Sequence, residues 1–444
     1  MKVLFVVTAF YPEQAVGSIR VTKFAKYLSQ LGDDVSVVSL TPPSWSSCDE
    51  TLYFDGLESI NSIKVDQSNI FKKVLMKARV ATIGETSANS SKAMSDNGKI
   101  VGQFKYALQF FYTLIKAVDW VFQVRKSVRR NFKGESFDVV FTSYPSLSSP
   151  LAGIFIKKLV SASALVVDFR DPVTYGGGWF AFFKKMIQKY IVLKASLVVF
   201  PSRGVRDMVI GDRKGGSVTE KQNAVIYNGY DPDDIKSIVS NDHRPLSEKI
   251  FRVVYTGALY GGKRDISPFF SAFSEVVQRL ALPLDSIQLD YAGSEGEAFR
   301  KTANHYGLSA CVTDHGRVSR VDSLNLQIDS DLCLLASWNT KSDKGIITGK
   351  IFEFFMNRKP VVSIVSGDVP DSELKEIITL ANAGYCYEEA DKESYSGLVL
   401  WLEDFVRHWR DAGDCDHKYS ESVDDFSHIK NAEVLHSSIM SVWQ

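Results

Sequence analysis

Short, nearly continuous apolar runs recur along the chain, separated by stretches in which apolar residues return every three or four positions. In the first half the runs are VLFVVTAF (3–10), VSVVSL (35–40), DVVFTSY (138–144), ALVVDFR (164–170), LVVFPS (197–202) and AVIYNG (224–229). In the second they are FRVVYTG (251–257), IQLDYAG (287–293), CVTDHG (311–316), LCLLAS (332–337) and PVVSIV (360–365). Strands apolar on both faces, with helices between them, belong to parallel sheets covered on both sides. Many of the runs end in Gly, Ser, Thr, Asp or Asn, and open α/β sheets bind ligands at those carboxyl ends. The pattern predicts an α/β chain with two Rossmann-like parallel-sheet domains facing a cleft. The expected bounds are 1–238 and 239–425, with a polar connection at 234–249 and a last helix, 426–444, packing back on the first domain. No internal repeat is visible.

One helix-period segment stands apart. Phe104, Leu108, Phe111, Ile115, Val118 and Phe122 recur at steps of four and three, which predicts an amphipathic helix over 104–122. Lys105, Lys116, Arg125, Lys126, Arg129 and Arg130 flank the stripe, and Tyr112 and Trp120 add amphipathic rings. Together with FKKVLMKAR (71–79), this helix suits an anionic membrane surface; packing of the stripe on the first sheet fits the pattern equally well. The small polar residues of 86–99 read as a loop.

Length and charge refine this picture. A chain of 444 residues exceeds one compact core and suits two domains of about 200 residues each. The 52 basic and 52 acidic residues cancel overall, yet 67–133 holds 13 basic against 3 acidic, and 365–444 holds 6 against 17. Opposed patches of this kind point to a basic face for an anionic partner rather than to nucleic-acid binding. The five cysteines have no metal-ligand spacing, which predicts reduced thiols and a cytoplasmic protein. The first residues, MKVLFVVTAFYPEQ, carry too short an apolar run for a signal peptide. No stretch reaches the ~20 uncharged apolar residues of a membrane span. The expected location is the cytoplasm, at the inner face of the membrane if the basic helix docks there.

Candidate chemistry clusters after the strands. The turn after the first run lacks G-x-G-x-x-G but brings Gly17 and Arg20 to a helix start, with Val21, Phe24, Leu28 and Leu31 expected to face inward. After the run ending in Gly257, a glycine-containing loop carries Lys263 and Arg264, a pair suited to a diphosphate or, alternatively, a solvated surface pair. In HGRVSRVD (315–322), the backbone around Arg317 and Val318 suits a planar base, and His315 reads as a satisfied loop histidine. Asp168, Arg170, Asp171 and Trp179 form either a sugar-gripping loop or an Arg–Asp structural network. Glu353 is a lone acid on an apolar and basic stretch. No histidine precedes His243, so the first domain offers no imidazole base. No Ser-His-Asp set or metal-ligand cluster emerges.

VGSIR (16–20), VIYNGYD (225–231), YTGALYGGKRD (255–265), DYAG (290–293), HGRVSR (315–320) and GKIFEFFMNRKPVV (349–362) together resemble the GT-B fold glycosyltransferases of the family 4 type, across most of the chain and in the family's order. The resemblance implies a metal-independent, retaining transferase of bacterial surface-polysaccharide type. Its donor is a nucleoside-diphosphate sugar, UDP- or GDP-linked, used as co-substrate with no separate cofactor. Its acceptor is a glycan or a polyprenyl-diphosphate-linked chain, with peripheral contact to an anionic membrane. By this resemblance Glu353 accepts hydrogen bonds from the ribose hydroxyls, as the second acid of the family's E-x7-E motif. Lys263 and Arg264 neutralise the leaving diphosphate, Gly17 and Arg20 belong to the glycine loop, Gly257 lies on the donor side, and Val318 meets the base beside Arg317. Asp168, Arg170, Asp171 and Trp179 are the expected acceptor side.

Two positions depart from the pattern: Gly345 stands where the first acid would be, and Ala258 where many relatives carry Arg. Backbone amides of Ile347, Thr348, Gly349 and Lys350 would then hold the donor sugar, helped by the Thr348 and Lys350 side chains; Asp343 is two positions out of place as a substitute. A sugar-nucleotide epimerase of the same fold and a non-catalytic sugar-nucleotide-binding protein are the competing readings.

Overall fold

The computed structural model describes residues 1–13, 16–42, 48, 52–69, 71, 96–173, 181–211, 222–237, 250–413 and 417–443, with the backbone alone at 16 and 96–110. They form two compact units. One comprises Met1–Pro201, Val205–Ile226 and Asn431–Gln444, the other Ser202–Gly204 and Tyr227–Lys430. Trp179, most of 71–79 and the connection at 238–249 lie outside the described residues.

The first unit is built on seven parallel strands: β1 (Lys2–Val7), β2 (Asp34–Leu40), β3 (Asn61–Val65), β4 (Val139–Tyr144), β5 (Ala164–Phe169), β6 (Leu197–Phe200) and β7 (Asn223–Val225). Their order is β3-β2-β1-β4-β5-β6-β7, so the direction of winding reverses between β1 and β4. Strand β1 shows why the apolar run is continuous: Val3, Phe5 and Val7 enter one core while Leu4 and Val6 enter the other. The helices are α1 (Val16–Gln30), α2 (Asp96–Asn131), α3 (Ser148–Leu159), α4 (Ala181–Lys194) and α5 (Arg203–Ile210), the last beginning at the unit boundary.

The second sheet has six parallel strands: β8 (Phe251–Thr256), β9 (Ile287–Ala292), β10 (Val312–Asp314), β11 (Leu332–Trp338), β12 (Val361–Ser366) and β13 (Gly384–Glu388). The order β10-β9-β8-β11-β12-β13 again reverses at adjacent strands, β8 and β11. Helices α6 (Ser267–Arg279), α7 (Gly296–His305), α8 (Arg320–Ile328), α9 (Lys350–Met356), α10 (Glu373–Leu380) and α11 (Ser394–Ala412) cover it. A last helix, α12 (His428–Trp443), sends Leu435 and Ile439 into the core that holds Val3 and Phe5.

Several local expectations are corrected. Edge strands β3 and β13 were not among the predicted runs: Asn61, Ser62 and Lys64 make β3 polar, and β13, GYCYE, is short and begins on a glycine. Leu31 lies beyond the end of α1 and is exposed, while Val21, Phe24 and Leu28 are buried as expected. Helix α2 begins at Asp96, inside the stretch read as loop. Its packed face holds Ala117, Trp120, Val124 and Val128, whereas Phe111, Ile115, Val118 and Phe122 point outward. Trp120 is therefore a core residue, not an interfacial ring. Among the described residues, no helix is long and apolar enough to cross a membrane.

Helix α3 approaches β4 so closely that a Cβ on Gly153 would lie 2.2 Å from Thr142 Cγ2 and 3.1 Å from Leu165 Cδ1. Alanine is the better helix former by about 1 kcal/mol, but overpacking of a filled core costs about 1–3 kcal/mol. Gly153→Ala is therefore expected to lower the urea midpoint of unfolding, and an unchanged or raised midpoint would show that the helix has room to withdraw.

Candidate functional site

In the second unit, the reversal at β8 and β11 leaves a crevice at their carboxyl ends, the position where such sheets take ligands. Strand β8 ends at Thr256, and Gly257 follows with φ 137°, a conformation that favours glycine. The loop continues through Leu259, Tyr260 and Gly261, whose backbone N–H groups donate to the Glu295 carboxylate at 2.5, 3.2 and 2.9 Å. Those amides hold Glu295 below the usual carboxylate range, against a small opposing effect of burial. The loop amides expected to face a diphosphate are thus turned toward an internal acid, and the loop's free chemistry is its two cations. Lys263 lies with Nζ 5.8 Å from the centre of the Trp338 ring. Arg264 lies over Tyr260 at 4.5 Å and over Trp338 at 5.9 Å, and donates to the Ala258 carbonyl oxygen at 3.1 Å. Ala258 therefore contributes through its backbone at the position where a second arginine was looked for.

Glu353 sits in the first turn of α9. Its Oε2 accepts from Gln327 Nε2 at 2.9 Å and from Lys350 Nζ at 2.7 Å. Burial pushes this carboxyl up, but Lys350 and the Gln327 amide outweigh it and hold it below the ordinary range, charged at neutral pH. Gln327 is fully buried and also donates to Thr256 Oγ1 at 3.2 Å, while its own Oε1 accepts from Asn357 Nδ2 at 3.2 Å. A single amide on α8 thus ties the acid to the end of β8. The side chain of Glu353 remains 20 % exposed.

The loop before α9 is pinned by Ser337 Oγ donating to the Ile346 carbonyl oxygen at 2.8 Å. Ile347 and Lys350 are partly exposed, Gly349 is exposed, and Thr348 is buried with its Oγ1 lacking a hydrogen-bond partner. Gly345 has φ 68°, and a Cβ there would lie 2.6 Å from Ser202 Oγ and 2.7 Å from Gly204 Cα. The missing acid has a steric reason: at this position no side chain fits. Asp343 donates its backbone N–H to Thr340 and stays in its own turn.

Arg317 is exposed and Val318 partly so, just before Ser319, which caps α8 by accepting from the Asp322 N–H at 3.1 Å. Arg320, one residue on, is paired with Asp234 at 2.8 Å. His315 bonds Asp290 at 2.7 Å, the satisfied loop histidine of the sequence reading.

In the first unit, Arg20 and Asp168 are both buried and face each other, Nη2 to Oδ1 at 3.1 Å. Asp168 also accepts from Ser143 Oγ at 3.0 Å, and Arg20 donates to the Ile226 carbonyl oxygen at 2.8 Å. The partner of Asp168 is thus Arg20, which was expected on the donor side, and neither side chain is exposed to a ligand. Gly17 is bare because the Arg170 guanidinium fills the space: a Cβ would meet its Nη2 at 2.5 Å. Arg170 donates to the Tyr144 carbonyl oxygen at 3.1 Å, and burial lowers its affinity for a proton against the pull of Asp168 and Asp171. Burial also raises the Asp171 carboxyl, with Arg170 opposing. Arg170, Asp171 and Tyr144 are the partly exposed polar groups at the carboxyl ends of β4 and β5.

Sequence reasoning missed Gln327, Trp338 and Glu295. Gln327 has no local motif, and Trp338 carried a signal only in closing an apolar strand with a ring. Among the described residues, no three His, Cys, Asp or Glu side chains converge as a metal site.

The two sheets, their order and their coverage by helices define the GT-B class of fold. The whole chain superposes on solved members of that class: the lipopolysaccharide outer core galactosyltransferase WaaB in its apo form has 13 % identity, a TM-score of 0.57 and 99 % coverage of both chains. HepE from Anabaena in complex with UDP has 14 % identity and a TM-score of 0.57, covering 99 % of this chain and 100 % of its own. A putative UDP-N-acetylglucosamine 2-epimerase from Listeria monocytogenes has 11 % identity and a TM-score of 0.53, covering 99 % and 96 %. Identities this low establish the fold alone. No family model matches the chain, and no curated protein matches it in sequence.

Removing one partner of a buried ion pair strands the other, at a cost of about 3–5 kcal/mol. Arg20→Ala is expected to destabilise the chain by that amount in urea titration; a loss below about 1 kcal/mol would mean that water reaches Asp168.

Proposed function

We propose that the chain is a glycosyltransferase that moves a sugar from a nucleoside-diphosphate donor, UDP- or GDP-linked, to a glycan or a polyprenyl-diphosphate-linked acceptor. The observation that carries this reading is that a charged acid, Glu353, is tied through Gln327 to Thr256 at the end of β8, while two cations lie beside Trp338 at the end of the neighbouring strand β11. Both described bonds to Glu353 land on Oε2. Oε1 is then the atom that a ribose hydroxyl pair would meet, and a carboxylate is an acceptor suited to two such donors. The backbone at Arg317 and Val318, just before α8, supports the base.

Chemistry follows from charge. As the bond between the sugar and the diphosphate breaks, negative charge grows on the leaving oxygen. Lys263 and Arg264 stabilise that growth more than they stabilise the bound donor, which lowers the barrier rather than only tightening binding. The amides of 347–350 and the Thr348 hydroxyl, which has no hydrogen-bond partner within the protein, hold the donor sugar in this reading. Tyr144, Arg170 and Asp171 are the acceptor-side groups. Retention of configuration and work at the cytoplasmic membrane face, on surface polysaccharide, complete the proposal.

Glu353→Ala is expected to weaken UDP or GDP binding by about 1.5–3 kcal/mol, the range for a hydrogen bond to a charged group; unchanged affinity by calorimetry would refute the ribose role. Lys263→Ala is expected to lower kcat roughly a hundredfold with a smaller change in KM. Equal turnover would remove Lys263 from the mechanism. Nucleotide release that needs a lipid extract supports transfer, whereas a donor isomerised without acceptor would identify an epimerase.

A further inference from the structure

We infer that Glu295 is a positioning residue for the donor diphosphate. It fills the anion-binding hollow of the loop after β8 and so fixes the loop shape that presents Lys263 and Arg264. This role rests on the donor site proposed above and adds to it what holds the loop.

The hollow is a product of backbone geometry. Leu259 is right-handed helical, with φ −88° and ψ −5°, whereas Tyr260 and Gly261 are left-handed, with φ 54° and 60°. A right-handed residue followed by a left-handed one turns successive N–H groups to one side, and such a concavity takes an anion. Here the anion is the chain's own. The N–H groups of Leu259, Tyr260 and Gly261 all donate to the Glu295 carboxylate, which uses both of its oxygens to accept them.

Glu295 is itself fixed. Its backbone N–H donates to Tyr291 Oη at 3.0 Å, and that hydroxyl donates to the Gly257 carbonyl oxygen at 3.1 Å. A Cβ on Gly293 would lie 2.3 Å from the same carbonyl oxygen, so the turn between β9 and α7 is seated directly against the start of the loop. Tyr255, stacked on Tyr291, donates to the Ala258 carbonyl oxygen at 3.1 Å. Each residue from Gly257 to Gly261 therefore has a backbone group held by a side chain, and Glu295 alone holds the last three.

Those three decide where a cation stands. A left-handed φ is unfavourable for a residue that carries a Cβ. Tyr260 is 57 % exposed, so burial does not impose it. The bonds from its own amide and from both neighbours to Glu295 do. In this conformation the Tyr260 ring lies 4.5 Å from the Arg264 guanidinium and edge-on to Trp338, with ring centres 6.1 Å apart. Arg264 in turn donates its backbone N–H to the Leu259 carbonyl oxygen at 3.1 Å, closing the loop on itself. Glu295 thus acts through Tyr260 and Arg264, without touching the ligand. An acid in a diphosphate site would repel the ligand if its charge were free; three amide dipoles meet this one. The phosphates are then left to the side chains of Lys263 and Arg264.

The test uses full-length variants, read by calorimetry with UDP and with GDP and, without nucleotide, by amide hydrogen exchange. Glu295→Ala is expected to keep the urea midpoint of unfolding and to speed exchange at 259–261 at least about tenfold. It is also expected to weaken nucleotide binding about tenfold, because a loop that must be ordered on binding binds less tightly. Glu295→Gln, which keeps the shape and one acceptor oxygen, is expected to lose less, and it serves should the alanine variant misfold. In an Arg264→Ala background, Glu295→Ala is expected to change affinity by less than about twofold, since residues that act through one another are not additive. Unchanged exchange, unchanged affinity, or losses that multiply in the double variant would overturn the inference. Tighter binding by Glu295→Ala would overturn it too, by showing that the acid competes with the phosphates for the loop amides. A parent that binds neither UDP nor GDP, while exchange responds as expected, sinks the donor site and leaves Glu295 as the residue that shapes the loop.

Discussion

The arrangement in the second unit turns on one buried amide. Gln327 has no exposed surface, so each of its polar atoms must be matched inside the protein. It meets Thr256 at the end of β8, Asn357 after α9, and Glu353. A glutamate placed in that position without Gln327 and Lys350 would be pushed toward its neutral form by burial. With them it stays charged, tied through Gln327 to Thr256 at the end of β8. Acid, strand and helix are then a single rigid object, and a ligand contacting Glu353 feels the position of all three.

The two units handle charge in opposite ways. Arg20 and Asp168 are closed off together, and that pair joins α1 to β5 and to the Ile226 carbonyl with nothing left over for a ligand. Lys263 and Arg264 are supported from below by Trp338 and Tyr260, whose ring faces attract cations without neutralising them. Such support keeps positive charge available to an anion. The first unit's network is a fixture of the fold; the second unit's is a candidate for chemistry.

Much of the fold was legible because parallel strands are apolar on both faces, and β1, β4, β5, β8, β11 and β12 all read as unbroken runs. The edges β3 and β13 were not: β3 has one neighbour and tolerates polar residues, and β13 is a short Gly-Tyr-Cys-Tyr-Glu segment with no aliphatic run. For helix α2 the sequence left the direction of the stripe open: the helix has apolar residues on two sides, and periodicity alone cannot say that Trp120 packs inward while Phe122 faces out. Of the candidate site, Glu353 was legible as a lone acid on an apolar and basic stretch, and Lys263 and Arg264 as cations in a strand-following loop. Gln327 and Glu295 act through contacts 26–71 positions away in sequence, and Trp338 through its ring face, and no spacing announces them. The bare position at Gly345 was visible as a departure, but its cause, the backbone of Gly204 against it, exists only in three dimensions.

The most direct measurement is a structure of the chain with UDP bound. The account predicts the ribose hydroxyls within about 3 Å of the Glu353 carboxylate, the diphosphate beside Lys263 and Arg264, and the base along the backbone of Arg317 and Val318. A nucleotide bound elsewhere, or with its ribose turned away from Glu353 and its phosphates out of reach of both cations, would contradict it.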